Sequence, residues 1–425
     1  MNVIQSSFLI IGEGVTYNHC ANFFKKNNIS FTSLTTHNIL NIDNNLVECD
    51  DKKIDLNKID YAIVSPGISP SDKLLKSLEN SRCKLTTDIE IVQSMTNTKF
   101  ICVTGTNGKT STVSLISDIL NENSISSIAC GNNGISVFKS LEAKYDYIIL
   151  EVSSYQLEHI KYLNAYISVI LNLTSDHLER HGTLDKYLEI KLKIFKNAKY
   201  KIINKSLDYE DKYYNFEVKD KDFLVNKAKI NQLSVTHNNI IFQQTYYPIV
   251  GYHEALNLCA CLAIMNILNL PLENIMSAFS KRNLMQHRVE EFISINGTKF
   301  INDSKSTNAG STLNALKSVN GNIILIMGGD KKEMSYKMLI EIINNKVKLL
   351  VIIGENKDYL FEELTVDVKK ICFDTLDLAT DYIFTIMSPG DTVLMSPGTS
   401  SYYMYDNYEH RGGHFKNIVM NYASQ

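Results

Sequence analysis

Short runs of β-branched and aromatic residues alternate along most of the chain with amphipathic stretches of helical period, the pattern of parallel sheets covered by helices. The first such unit, "SFLIIGEGVTYNHCANFFKKNNISFTSL" from Ser7 to Leu34, reads as a strand, a Gly turn, a helix and a second strand. A further strand in "DYAIVSPGISP" ends in a Gly/Pro turn, and "TTDIEIVQSM" predicts a helix leading out near Met95. A second region opens with "FICVTGTNGKTSTVSLISDIL", Phe100 to Leu120. It continues through strands "DYIILEV" and "AYISVILNL", a helix from about Thr183 to Asn197, the apolar helix "HEALNLCACLAIMNIL" and a shorter helix closing near Ser280. Its polar segment between about Tyr200 and Tyr247, with a hairpin expected at Asn238-Asn239, reads as decoration on that sheet. A third region begins near Gln286 and places strands at "NIILIMGGD", "VKLLVIIGE" and "DTVLMSPGTSS", with helices between them. At 425 residues the chain exceeds one ordinary core, so the pattern divides into three domains, 1–95, 96–285 and 286–425.

Ligands of open parallel sheets bind beyond the carboxyl ends of the strands, so the turns after each strand are where chemistry belongs. In "ICVTGTNGKTST", a buried strand runs into Gly105, Thr106, Asn107 and Gly108, and Lys109 opens a helix. Small residues let backbone N–H groups face inward while the helix directs its positive end at phosphate; Lys109 would meet the terminal phosphate oxygens, and Thr110 or Ser111 would offer magnesium a hydroxyl. The spacing departs from the usual phosphate-binding loop, because the position five before Gly108 is Val103, and Gly105 stands only three before it. Gly12 and Gly14 satisfy two positions of a dinucleotide fingerprint; the third falls on Tyr17, which argues against a nicotinamide cofactor and leaves either another phosphate-bearing ligand or a plain turn. Glu151 closes an apolar strand, Asp176 and His177 follow the next, and Lys191 lies on the helix after that. Singly these are ordinary surface residues; with the loop they make a two-metal phosphoryl site. "INDSKSTNAGS" follows a strand and precedes a helix start, which suits capping and also suits reception of an acidic substrate.

Composition adds exclusions. A formal charge of −3, from 43 basic and 46 acidic residues, gives no attraction to nucleic acid or an anionic membrane. No apolar run reaches the roughly 20 residues that span a bilayer, and "MNVIQSSFLIIGEG" lacks the basic start of a signal peptide, so a cytoplasmic protein without membrane insertion is expected. The 8 cysteines are scattered; Cys259 and Cys261 lie in an apolar helical run and read as structural thiols.

The motifs "GTNGKT" at Gly105–Thr110, "HRVE", "NDSKSTN" and "SPGTSS", in this order, resemble the Mur ligase family of ATP-dependent amino-acid ligases over essentially the whole chain, and most resemble its D-glutamate-adding branch. The resemblance implies an α/β protein with a Rossmann-like N-terminal domain, a central P-loop ATPase-like parallel-sheet domain and a Rossmann-like C-terminal domain. It implies ATP held by Gly105 to Ser111, with Asn257, Arg288 and Asp303 contacting the nucleotide. Two magnesium ions, replaceable by manganese, would be held through Ser111, Glu151, His177 and Lys191, the last of them carbamylated. Lys109, His177 and Lys191 would be the catalytic set. UDP-N-acetylmuramoyl-L-alanine would be bound by Gly14, Val15, Thr16, Thr36, Ser65, Pro66, Gly67 and Asn132, and D-glutamate by Lys305, Thr307, Lys332, Ser401 and Tyr408. A monomer is expected. The chain departs from the family pattern at Asn133 in "GNNG", at Glu254 after His253, at Tyr403 after the serine run, and at Tyr408, where the family commonly has Phe. Rival readings are another amino-acid ligase of the family, a folylpolyglutamate synthase, or a non-catalytic nucleotide-binding scaffold.

Overall fold

A computed structural model describes residues 2–43, 45–174, 176–204, 224–228, 232–237, 240–243, 251–280, 286–331 and 335–424. The chain is α/β and separates into two compact units: residues 1–173, 185–217 and 264–270 in one, and 174–184, 218–263 and 271–425 in the other.

Two parallel sheets organise the first unit. One runs in the order Phe31–Leu34, Phe8–Ile11, Tyr61–Val64, Lys84–Thr86, and the other in the order Tyr200–Ile203, Ile167–Ile170, Lys99–Thr104, Tyr147–Glu151, Ser127–Gly131. Successive side chains of a strand alternate between sheet faces, and at Phe8–Ile11 both faces are buried, which is why that strand is apolar at every position. Phe8 and Ile10 enter a core shared with Phe100, Cys102 and Leu150, while Leu9 and Ile11 enter a separate one with Val64 and Leu74. The helix Asp88–Met95 leads out where the sequence placed it, and its Ile89, Ile91 and Val92 enter the core that Phe8 shares with Phe100. Thr87 and Glu90 form a capping box at its start, and the second oxygen of Glu90 accepts from Lys161 N at 3.0 Å and Tyr162 N at 2.8 Å. A small antiparallel sheet of Ile39–Asp43, Leu46–Cys49 and Lys53–Asp55 was not foreseen, because strands this short carry no readable alternation.

The second unit is built on a sheet in the order Glu290–Ile295, Thr298–Asn302, Asp391–Met395, Asn322–Gly329, Val347–Gly354, Lys369–Phe373, parallel except for its first strand, which pairs antiparallel with the next. Ile323, Leu325 and Met327 face one core, Ile324 and Ile326 the other. The expected turn at Asn238-Asn239 lies outside the described residues; on either side of it Gln232–His237 and Ile240–Gln243 pair antiparallel. No disulfide and no cluster of three or more His, Cys, Asp or Glu suited to a metal occurs among the described residues, and no described helix is long and apolar enough to cross a membrane.

Candidate functional site

In the first unit the Gly105–Gly108 loop leaves the carboxyl end of Lys99–Thr104, the middle strand of its sheet, and Gly108 adopts a φ of 84° as the residue before helix Lys109–Glu122. That left-handed conformation is open to glycine at little cost and turns the chain directly from strand to helix. Asn172, just past the neighbouring strand Ile167–Ile170, braces the loop on both sides: its Nδ2 donates to Asn107 O and its Oδ1 accepts from Asn107 N, each at 2.9 Å. Its carbonyl also accepts from Thr106 N at 3.1 Å. Lys109 Nζ donates to Gly105 O at 2.8 Å and Thr106 O at 2.9 Å, so the cation sits over the loop it serves.

The next strand, Tyr147–Glu151, delivers Glu151 to the same end of the sheet. The carboxylate is 2% exposed. Its Oε1 accepts from Asn132 Nδ2 at 3.0 Å, and its carbonyl accepts from Asn132 N at 3.0 Å. Gly131 before it has φ 106°, and a Cβ there would lie 2.4 Å from Glu151 O, so no side chain fits at that close approach. The other carboxylate oxygen, Oε2, and the hydroxyl of Ser111 are both buried and have no hydrogen-bonding partner among the described residues. Buried polar oxygens are ordinarily satisfied, and leaving them so costs about 1–3 kcal/mol apiece. An anionic oxygen and a hydroxyl at one sheet end suit a hard cation. Magnesium in nucleotide sites takes one or two protein carboxylates and completes its shell with phosphates and water. Lys191, 1% exposed, places Nζ 4.4 Å from the centroid of the Tyr187 ring, and the Tyr187 hydroxyl accepts from Thr106 Oγ1 at 3.5 Å. Tyr187 thus links the buried lysine to the loop.

The turns of the N-terminal sheet border a cleft of 370 Å³ lined by Gly12, Glu13, Tyr17, Thr35, Asn38 and Lys52 among others. The expected Gly14, Val15, Thr16 and Thr36 are sequence neighbours of these lining residues. Gly14 precedes helix Val15–Lys26, and Ser65 of the Ser65–Gly67 turn donates its amide to Ile11 O at 2.9 Å.

In the second unit His177 takes a φ of 56° before the short helix Leu178–His181, with its Nε2 3.7 Å from Asp176 Oδ2 and its Nδ1 3.7 Å from Glu179 Oε1. Asn308 caps helix Ala309–Ser318 and donates from Nδ2 to Asp176 Oδ2 at 3.0 Å. Asn257 is buried on helix Gly251–Ile267, and its Nδ2 has no partner among the described residues. The segment after Thr298–Asn302 alternates: Asp303, Ser304 and Ser306 are buried, while Lys305 and Thr307 are half-exposed. Asp303 accepts from Val289 N at 3.1 Å and from the hydroxyls of Ser306 and Ser396, and burial pushes its carboxyl up to about 6. It holds the segment and the neighbour of Arg288 in place. Lys305 Nζ lies 3.6 Å from the centroid of the Tyr408 ring, so two residues expected to receive the amino acid are in contact. Ser401 is buried, and Lys332 lies outside the described residues.

Asn172 and Tyr187 were missed from sequence. Asn172 carried a faint signal, a polar residue directly after an apolar strand; the Tyr187 contact to the loop is with Thr106, 81 positions away.

Residues 103–265 match the Mur ligase middle domain and residues 287–398 the Mur ligase glutamate ligase domain. The chain is 33% identical to a UDP-N-acetylmuramoylalanine--D-glutamate ligase of Alkaliphilus oremlandii, covering 85% of this chain and 84% of that one. It is 30% identical to the protein of the same name from Buchnera aphidicola, over 98% of each. The crystal structure of UDP-N-acetylmuramate-alanine ligase from Thermotoga maritima shares the fold, with a TM-score of 0.62 at 14% identity over 98% of this chain and 100% of that one.

Proposed function

The chain belongs to the Mur ligase family, and from that premise we propose that it joins D-glutamate to the alanyl carboxylate of UDP-N-acetylmuramoyl-L-alanine, driven by ATP, in the synthesis of peptidoglycan precursors. The two relatives described above support the choice of substrates by their names and by the extent of the match. The observation that carries the chemistry is the braced loop with two buried, unpartnered oxygens beside it, Ser111 Oγ and Glu151 Oε2. We read the chain as three domains, 1–95, 96–285 and 286–425, supported by three separate, mainly parallel sheets whose strands fall within those ranges. A cytoplasmic site of action accords with nucleotide-linked substrates.

In the proposed reaction a carboxylate oxygen takes the γ-phosphoryl group and ADP leaves; the amine then attacks the acyl carbon, phosphate departs and the nitrogen loses a proton. Both partners of the first step are anions, so the residues around them must offset charge. Lys109 supplies a cation at the loop, Asn132 fixes the carboxylate of Glu151, and Asn172 keeps the loop amides in place. Magnesium, or manganese with the same preference for oxygen, would be held by Ser111 and Glu151, with a carbamylated Lys191 offering a further oxygen ligand, and would neutralise phosphoryl charge. In that modification the Lys191 nitrogen, as a neutral amine, bonds to the carbon of CO2 and releases a proton, giving an anionic oxygen ligand at a buried position. Protein equilibrated with 13C-bicarbonate is expected to show a carbamate carbon resonance that is absent from Lys191→Arg; the same resonance in both would locate it elsewhere.

The activity is tested by phosphate release from ATP with UDP-N-acetylmuramoyl-L-alanine present. Release is expected with D-glutamate and not with L-alanine, L-glutamate or a diamino acid. Release with one of those alone overturns the substrate assignment, and release with none overturns the ligase reading.

A further inference from the structure

The segment Thr399–Tyr403, which carries Ser401, is gripped from two sides by charges of opposite sign. On one side stands Arg411 of helix Tyr408–Ala423, 0% exposed. Its Nη1 donates to Ser400 O at 3.0 Å and its Nη2 to Thr399 O at 3.1 Å. On the other stands Asp330, directly after strand Asn322–Gly329. Its Oδ2 accepts from Tyr402 N at 3.0 Å and its Oδ1 from Tyr403 N at 2.6 Å, while its carbonyl accepts from Thr399 Oγ1 at 2.9 Å. The cation therefore holds the carbonyls before Ser401 and the anion holds the amides after it. Arg411 also reaches the other segment expected to receive the amino acid: Nε donates to Ser304 Oγ at 3.0 Å and Nη2 to Ser304 O at 2.9 Å. Ser304 precedes Lys305, and its hydroxyl donates to Tyr408 O at 2.8 Å. One guanidinium thus ties together the backbone beside Lys305, Ser401 and Tyr408.

A buried cation is a costly way to fasten two loops. Desolvation weakens the hold of Arg411 on its proton, to about 10, and apolar residues of similar volume often stabilise a core as well as buried charge does. What a guanidinium adds is direction: a planar fork of fixed donors sets the orientation of each carbonyl it binds. Receptor groups must be held within about half an ångström of their working positions, by neighbours whose own conformations are locked. We propose that Asp330 and Arg411 are positioning residues, a clamp of opposite charges that holds Ser401, Lys305 and Tyr408 as one preformed receptor for the incoming amino acid. The proposal rests on the expectation that these three are among the residues that bind D-glutamate.

The test is steady-state kinetics of the full chain with Arg411→Lys, Asp330→Asn and both together, each substrate varied in turn. Lysine keeps the charge and loses the fork; asparagine keeps the shape and one acceptor oxygen. In each single variant KM for D-glutamate is expected to rise about tenfold or more, with KM for ATP and for the UDP-linked substrate within about twofold of wild type. The double variant is expected to fall little further than the worse single one, because both act on one segment. Parallel rises in all three KM values, or a loss of melting temperature with no selective rise, would make the pair structural and overturn the clamp. Should Arg411→Lys fail to fold, Asp330→Asn and Ser304→Ala carry the same expectation. If the wild type proves to use another amino acid, the split is read for that one; a wild type with no amino-acid dependence removes the functional reading and the clamp with it.

Discussion

Lys109→Ala is expected to lower kcat/KM by at least about a thousandfold, some 4 kcal/mol of transition-state stabilisation, while the melting temperature changes little. The size follows from charge. A carboxylate attacking a triphosphate brings two anions together, and the Lys109 ammonium is the cation that the fold itself supplies at the loop, held to Gly105 O and Thr106 O. The loop does not depend on it for shape, because Asn172 grips both the amide and the carbonyl of Asn107. The measurement is a coupled assay of ADP formation with both acceptor substrates, alongside calorimetric nucleotide binding. A non-catalytic scaffold would lose affinity and have no turnover to lose, so wild-type ADP formation that depends on the amino acid already excludes it. A variant retaining more than a tenth of wild-type kcat/KM would remove Lys109 from the chemistry.

The parallel sheets were legible because strands buried on both faces must be apolar throughout: "SFLIIG", "FICVTG" and "NIILIMGG" announce themselves without alternation. Strands such as Ile39–Asp43 and Lys369–Phe373 did not, being short, partly exposed and rich in polar residues. The loop and Glu151 were legible for a related reason. A carboxylate ending an apolar run stands out in one dimension, and the parallel register that pairs Glu151 with Val103 brings it to the strand end from which the loop departs. Asn172 and Arg411 act through backbone atoms of residues 65 and 107 positions away, and backbone atoms carry no sequence signature. Asn132 gained a partner that the sequence did not suggest, the Oε1 of Glu151.

Glu151→Gln is expected to reduce kcat/KM by about 10² to 10³ and to shift the magnesium dependence of activity to higher concentration, with nucleotide binding in the presence of a chelator unchanged. The substitution is nearly isosteric and sits at the end of a buried strand, and the amide oxygen can keep the hydrogen bond from Asn132 Nδ2, so the fold has no reason to respond. What changes is the other atom. Oε2 is a buried anionic oxygen with no described partner, 2% exposed as a residue, and the amide puts two donors where a cation would sit. If the side chain turned to present oxygen there, its NH2 would face Asn132 Nδ2, donor against donor, and the brace on Glu151 would be lost. Either orientation weakens cation binding, and only the orientation that also breaks the Asn132 contact should move the melting temperature. Activity measured across magnesium concentrations, with thermal melting in parallel, separates the two; an unchanged magnesium profile would mean that Glu151 is not a metal ligand.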